Sequence, residues 1–257
     1  MVALCFFVIA YLAIGTLLFL FQDSLIYYAD FHKYARLPEN VERIEVEVKQ
    51  NPSLVSRGYV MNRQAAGPVI VFFTGNAAES GRYIDDFQQF EATIVMTNYR
   101  GFGGSDGKPS ESAILSDSQV LIHWVRKEFP ERPIVLMGFS LGSGVAILSS
   151  DSATDGLILV SPYRSLVHVA RRSMIGVFPL DLLMRTKFDS RTRLNSLPDR
   201  VIVLYSKTDK TIPAKETMNF LELVPHALVI EDSVQHNQLL GRKNNLNAIA
   251  DWLQSGF

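Results

Sequence analysis

The segment Gly138-Phe139-Ser140-Leu141-Gly142 fits the pattern G-x-S-x-G, a spacing that suits a serine held in a tight turn between a strand and a helix. Glycines two before and two after the serine leave room for the turn, because a Cβ at either place would clash. The turn lifts the hydroxyl clear of a sheet and sets it at the positive end of the following helix, where negative charge is favoured. The chemistry implied is nucleophilic attack by the Ser140 hydroxyl through an acyl-serine. The pattern alone is weak, and its context gives it weight. The apolar run Pro133 to Met137 leads straight into it, and the small-residue run Gly142-Ser143-Gly144-Val145-Ala146 leaves it. The alternative is an ordinary strand-to-helix turn with a solvated serine.

A serine hydroxyl near neutral pH needs an adjacent base, and imidazole suits because its ordinary pKa lies near physiological pH. A carboxylate must then fix the imidazole tautomer and stabilise the imidazolium that forms. The chain offers His32, His123, His168, His226 and His236. Which of them serves depends on the elements that carry them.

Ile44 to Val48 alternates apolar and charged residues, so it reads as a half-exposed strand, and Gly58 to Met61 reads as a second. Pro68 to Phe73, Ile94 to Met96, Pro133 to Met137, Gly156 to Val160, Val201 to Tyr205 and Ala227 to Ile230 are apolar runs, expected of strands buried on both faces. Helical patterns lie between them at 79–91, 110–128, 141–150, 214–224 and 237–254. The alternation predicts a doubly wound, mostly parallel sheet of about eight strands. An insert at 161–198 interrupts it. On this scaffold His236 lies on the polar loop after a strand, just before the last helix. His226 opens that strand, at its wrong end. His123 sits in the apolar helical stretch Leu121 to Val125 and reads as a packing residue. His168 lies in the insert. The acid is expected after the strand at 201–205, where Ser206 to Pro213 carries Asp209; Asp232, close before His236, competes with it.

Four stretches of the chain resemble the α/β-hydrolases: Phe73-Thr74-Gly75-Asn76-Ala77, Asn98 to Ser105, Gly138 to Gly144, and Asp209 with His236. Within that superfamily the chain is similar to the membrane-anchored serine hydrolases related to bud-emergence proteins and protein depalmitoylases. The Tyr99-Arg100-Gly101 loop followed by Gly107-Lys108-Pro109-Ser110 is the most subgroup-specific stretch. The resemblance implies the α/β-hydrolase fold with a short lid insert. It implies the chain order serine, acid, histidine, hence a triad of Ser140, Asp209 and His236. It implies hydrolysis of acyl esters or thioesters, including lipidic ones, with no cofactor and no metal. An oxyanion hole would use the main-chain N–H of Leu141 and that of Asn76. The chain departs from the family in having Thr74 where histidine is usual, and Lys207 and Gln235 where glycine is usual. A peptidase or amidase on the same triad, and a catalytically weak binding module at the membrane, are the alternative readings.

Composition narrows the field. Lys plus Arg number 25 and Asp plus Glu 26, a net charge of −1, which argues against a nucleic-acid partner. The single cysteine, Cys5, permits neither a disulfide framework nor a cysteine-based zinc site. Gly101, Gly103, Gly104 and Gly107 match neither a dinucleotide loop nor a P-loop, and read instead as a tight rim loop supported by Arg100 and Asp106. The oligomeric state is not legible. From Val2 to Phe21 the chain carries no charge. About 20 residues at 1.5 Å each span about 30 Å of hydrocarbon, so the segment is expected to be a transmembrane helix. A cleaved signal peptide would want a basic start and small residues near the end, where Phe19, Leu20 and Phe21 stand. The expected division is an anchor at 1–22, a juxtamembrane tail at 23–40 and a hydrolase domain at 41–257. Lys33, Arg36 and Arg43 on the C-terminal side favour a cytoplasmic-facing domain. The insert carries Arg164, Arg171, Arg172, Arg185, Lys187, Arg191 and Arg193 against Asp181 and Asp189, interleaved with Ile175, Val177, Phe178, Leu180, Leu182 and Leu183. A basic amphipathic lid of this kind suits an anionic membrane surface or an acidic acyl substrate; an ordinary solvated basic rim is the plainer reading.

Overall fold

The apolar runs pair with one another in parallel, as their lack of alternation requires. The fold is seen in a computed structural model that describes residues 2–29, 37–50, 52–172 and 174–257. The chain order is α1 (Val2–Ile26), β1 (Val41–Gln50), β2 (Ser53–Met61), β3 (Val69–Phe73), α2 (Ile84–Phe87), β4 (Thr93–Thr97), α3 (Glu111–Glu128), β5 (Ile134–Phe139), α4 (Leu141–Ser149) and β6 (Gly156–Val160). It continues through α5 (Leu166–Ala170), α6 (Leu180–Leu183), β7 (Val201–Ser206), α7 (Ala214–Leu221), β8 (Leu228–Asp232) and α8 (Lys243–Gln254). Eight strands form one sheet in the order β1-β2-β4-β3-β5-β6-β7-β8. β1, β2 and β4 pair antiparallel; every other pairing is parallel.

Successive side chains of the central strands enter opposite layers. Val69, Val71 and Phe73 join Ile114, Leu121 and Val125 of α3 and Val145 of α4 on one face. Ile70 and Phe72 join Phe87 of α2 and Leu246, Ile249 and Trp252 of α8 on the other. Because β5, β7 and β8 run in parallel, the segments that follow them emerge at one edge of the sheet. Those segments carry Ser140, Asp209 and His236.

Three expectations need correction. The pattern at 79–91 is a 3-10 turn at Ser80–Tyr83 joined to the short α2, not one helix. Its aromatic residues are drawn into a cluster, with Phe72 edge-on to Tyr83 at 5.0 Å and to Phe87 at 4.9 Å, and packing overrides periodicity there. The pattern at 237–254 is likewise a 3-10 turn at His236–Gln238, and α8 begins only at Lys243. β8 is the outer strand of the sheet and largely exposed rather than buried. The N-terminal helix extends to Ile26, and Gln22 and Asp23 in its last turns find partners on the insert. His32, Lys33 and Arg36, within the expected tail, lie outside the described residues.

The rim loop uses its glycines as expected: Gly101, Gly103, Gly104 and Gly107 all have positive φ, which side chains rarely adopt. Both expected charges support it. Asp106 pairs with Arg57 at 2.8 Å, and Arg100 makes a two-pronged pair with Asp117 of α3 at 2.7 and 2.6 Å. Burial raises the Asp117 carboxyl, and the Arg100 bonds offset only part of that rise. Removing one partner of such a mostly buried pair leaves the other uncompensated. Asp117→Ala is expected to cost about 3–5 kcal/mol in urea unfolding, and replacing both residues (Arg100→Met with Asp117→Leu) to recover most of it.

Candidate active site

At the end of β5 the chain turns through Ser140 with φ 53° and ψ −118°, a left-handed conformation that costs a residue with a side chain of order 1–3 kcal/mol. The surroundings impose it. Ser140 N–H donates to the Val160 carbonyl at 2.9 Å, and the Ser143 hydroxyl donates to the Ser140 carbonyl at 2.7 Å. A Cβ on Gly138 would lie 2.2 Å from the Gly142 carbonyl oxygen, and one on Gly142 would lie 2.0 Å from that of Phe73. Both glycines are therefore sterically required, as their spacing predicted.

Asp209 and His236 meet across the loops after β7 and β8. His236 Nδ1 is 2.6 Å from Asp209 Oδ2, with the two residues 8% and 6% exposed. The carboxylate also accepts from the Ser161 hydroxyl at 3.0 Å and from the N–H groups of Thr211 and Ile212 at 2.8 Å each. Burial by itself would push the Asp209 carboxyl up. The His236 bond and charge and the two N–H bonds outweigh it and hold the group below the usual carboxylate range. The imidazole stacks on Phe139, with centroids 4.9 Å apart, so its plane is fixed as well as its edge. Ser140 and His236 line one cleft of 490 Å³, with Tyr28, Asn76, Tyr83, Phe139 and Asn237 among the other walls.

The loops do without the glycines usual at Lys207 and Gln235. Lys207 N–H donates to the Asp232 carbonyl at 2.9 Å and its ammonium pairs with Glu231. The Ser206 hydroxyl donates to the Val234 carbonyl at 2.6 Å and accepts from the Val234 N–H at 3.0 Å. Gln235 caps the turn that carries His236, in a reciprocal pair with Gln238. Side-chain bonds thus stitch the acid loop to the histidine loop.

Leu141 is the first residue of α4, and the first N–H groups of a helix have no partner within it. Asn76 stands in the cleft wall, but its side chain is turned to the N-terminal helix: Nδ2 donates to the Ile26 carbonyl at 2.9 Å. Where histidine is usual, Thr74 is buried, and Tyr99 donates its hydroxyl to the Thr74 carbonyl at 2.8 Å, which braces the loop.

The other candidates stand apart. Asp232 is held by Asn245, Arg242 and the Ser233 N–H. His168 bonds Ser165 at 2.7 Å within the insert. His226 precedes β8 at the opposite edge from His236. His123 is exposed on α3, not packed as expected, because the buried face of that helix runs through Ile114, Ser118, Leu121, Ile122 and Val125. Ser161 escaped the sequence reading. Its φ is 51°, and the only hint was a hydroxyl directly after an apolar strand.

Residues 64–180 match the family described as serine aminopeptidase, S33. Lysophosphatidylserine lipase ABHD12 of Danio rerio is 27% identical over 178 residues, which cover 60% of this chain and 47% of that protein. The chain thus spans about half the length of that relative. An uncharacterized protein of Mycobacterium tuberculosis is 26% identical over 262 residues, 96% of this chain and 92% of its own. Among solved structures, the Pyrococcus furiosus esterase Pf2001 superposes with a TM-score of 0.70 at 16% identity, covering 89% of this chain and 97% of that one. The chain has the α/β-hydrolase fold: an eight-stranded, mostly parallel sheet with flanking helices.

Because the folded Asp209 carboxyl lies below its unfolded value, its contribution to stability is complete above about pH 4 and fades as pH falls through the depressed value. Urea unfolding at a series of acidic pH values is expected to show a shallower loss of stability in Asp209→Asn than in the native chain. Parallel curves would contradict the assignment.

Proposed function

We propose that the protein is a membrane-anchored serine hydrolase that cleaves acyl ester or thioester bonds through Ser140, His236 and Asp209. The observation that carries this reading is the buried Asp209–His236 bond, with the same imidazole lining a cleft beside a serine on a strained turn. With the carboxylate accepting at Nδ1, that nitrogen carries the proton and Nε2 is left as the base. Ser140 Oγ attacks the acyl carbonyl as its proton passes to Nε2. The N–H groups of Leu141 and Asn76 receive the tetrahedral oxyanion, each such donor being worth about 10²–10³ in rate. Collapse expels the alcohol or thiol, which takes the proton from Nε2. Water then attacks the acyl-serine with His236 again as base, releasing the carboxylic acid and restoring Ser140.

Lipidic substrates are supported by the lysophosphatidylserine lipase named among the relatives and by the place of the cleft, whose wall includes Tyr28 just past α1. α1 is long and apolar enough to cross a membrane, with mean hydropathy 2.6 in its most apolar window. We take 1–22 as the membrane-crossing part and 41–257 as the hydrolase domain, facing the cytoplasm on the strength of the basic residues beyond the span. An amidase reading is favoured by one observation, the description of the matched family as serine aminopeptidase.

The test is covalent. A fluorophosphonate probe should label the native chain in membranes and fail to label Ser140→Ala. Ester hydrolysis should fall about 10⁴-fold or more in Ser140→Ala and His236→Ala. Labelling that survives Ser140→Ala would refute the nucleophile. A kcat/KM for aminoacyl anilides above that for nitrophenyl esters would replace the esterase reading by the amidase one.

A further inference from the structure

The N-terminal helix does not leave the domain as a free tether. Tyr11, near its middle, stacks on Phe178 of the insert, with centroids 4.5 Å apart and planes 15° apart. The Tyr11 hydroxyl donates to the Val177 carbonyl at 3.1 Å. One turn on, Gly15 lies against the same ring, close enough that a Cβ there would be in van der Waals contact with Phe178 at 3.5 Å. Further along, Gln22 donates to the Leu183 carbonyl at 3.1 Å and accepts from the Arg185 N–H at 2.7 Å. Arg185 pairs with Asp23 at 3.1 Å and lies over the Phe19 ring. The stretch from Val177 to Arg185 is thus laid along α1 from Tyr11 to Asp23.

The register fixes a depth. Asp23 is the first charged residue of α1 and marks where the helix meets headgroups. Tyr11 lies 12 residues earlier, about 18 Å along the axis, against a hydrocarbon half-thickness of about 15 Å. Tilt and the headgroup layer shorten that descent but leave Tyr11 among acyl chains. Whatever stacks on Tyr11 lies there too. The polar atoms at the contact are satisfied internally, as a hydrocarbon setting demands.

We propose that the segment from Ile175 to Leu183 is a second membrane element, an apolar wedge that enters the same leaflet as α1 and is covered there by lipid acyl chains. This rests on reading α1 as a membrane-spanning anchor. Val177 and Leu182 are 73% and 82% exposed, more than any large apolar residue of α1. Apolar contact rather than charge is taken to seat the wedge, because five of the seven basic residues of the insert are paired locally with four acids. Arg171 is paired with Asp181, Arg172 and Arg164 with Glu216, Arg185 with Asp23, and Arg191 with Asp189. Two of those acids lie outside the insert, where its own composition could not reveal them. The Arg171–Asp181 pair is neutral as a unit, and long arginine stems carry their heads toward the surface. The cleft opens at the foot of the same helix: Tyr28 lines it, and Tyr28 N–H donates to the Asn76 carbonyl at 3.2 Å.

The experiment uses the full chain in phosphatidylcholine nanodiscs, with environment-sensitive NBD labels on single cysteines. In a Cys5→Ser background the sites are Val177→Cys, Leu182→Cys and Lys127→Cys, the last exposed on α3; native Cys5 marks the anchor. Probe labelling of Ser140 confirms that each variant is folded. Spin-labelled acyl chains are expected to quench positions 177 and 182 at least about threefold more strongly than 127, with aqueous iodide showing the reverse order. Quenching at 177 and 182 like that at 127, with position 5 quenched by lipid, would overturn the wedge and leave the anchor standing. Lipid quenching absent at position 5 as well would remove the anchor and the wedge together, while leaving Ser140 chemistry untouched. Quenching at 177 and 182 that appears only with anionic lipid would overturn the apolar cause argued here.

Discussion

The hydrogen bond from His236 to Asp209 is the constraint around which the rest is arranged. It joins two loops that leave neighbouring parallel strands, and it forms in a place from which water is largely excluded. A carboxylate there is costly unless its lone pairs are filled. Ser161, Thr211, Ile212 and His236 fill them, and the sum of those bonds turns an unfavourable burial into a depressed pKa. The same bonds leave the imidazole little freedom. Its edge is set by Asp209 and its face by Phe139. Orientation of the imidazole proposed as base is thereby established by folding rather than by substrate.

Ser140, the proposed nucleophile, is held by opposite means. Ser140 is kept in a conformation that it would not choose, and the cost is met by close packing of main chain on main chain. Gly138 and Gly142 allow β5, α4 and the end of β3 to approach within distances that no Cβ would tolerate. Ser161 shows the same left-handed backbone at the end of the adjacent strand β6. Two neighbouring strands thus end in strained serines, one lining the cleft and one bonded to Asp209. Strain concentrated at one edge of a sheet, with regular structure below it, is what a pre-organised site requires.

Much of this was legible in the sequence because it is local. The apolar runs marked the strands, with the central ones emerging within a residue or two of their expected ends, and Gly138 and Gly142 marked the turn. The positions of Asp209 and His236 followed from which loops leave the carboxyl edge of a parallel sheet. What stayed hidden depends on contacts distant in sequence. Ser161 has no local pattern that ties it to Asp209. The tether from Asn76 to Ile26 spans 50 residues. The paired charges of the insert needed Asp23 and Glu216, which lie elsewhere in the chain. The break after Tyr83 came from aromatic packing against β3. His123 is a different case: its helical phase relative to Leu121, Ile122 and Val125 would have shown it to be exposed.

The central claim concerns a proton held between His236 Nδ1 and Asp209 Oδ2, and proton NMR in water observes it directly. In the native chain a strongly downfield, exchange-protected resonance is predicted, correlated with a ring nitrogen of a single histidine and absent from both Asp209→Asn and His236→Gln. A spectrum without that resonance, or one in which it persists after Asp209→Asn, would contradict the account.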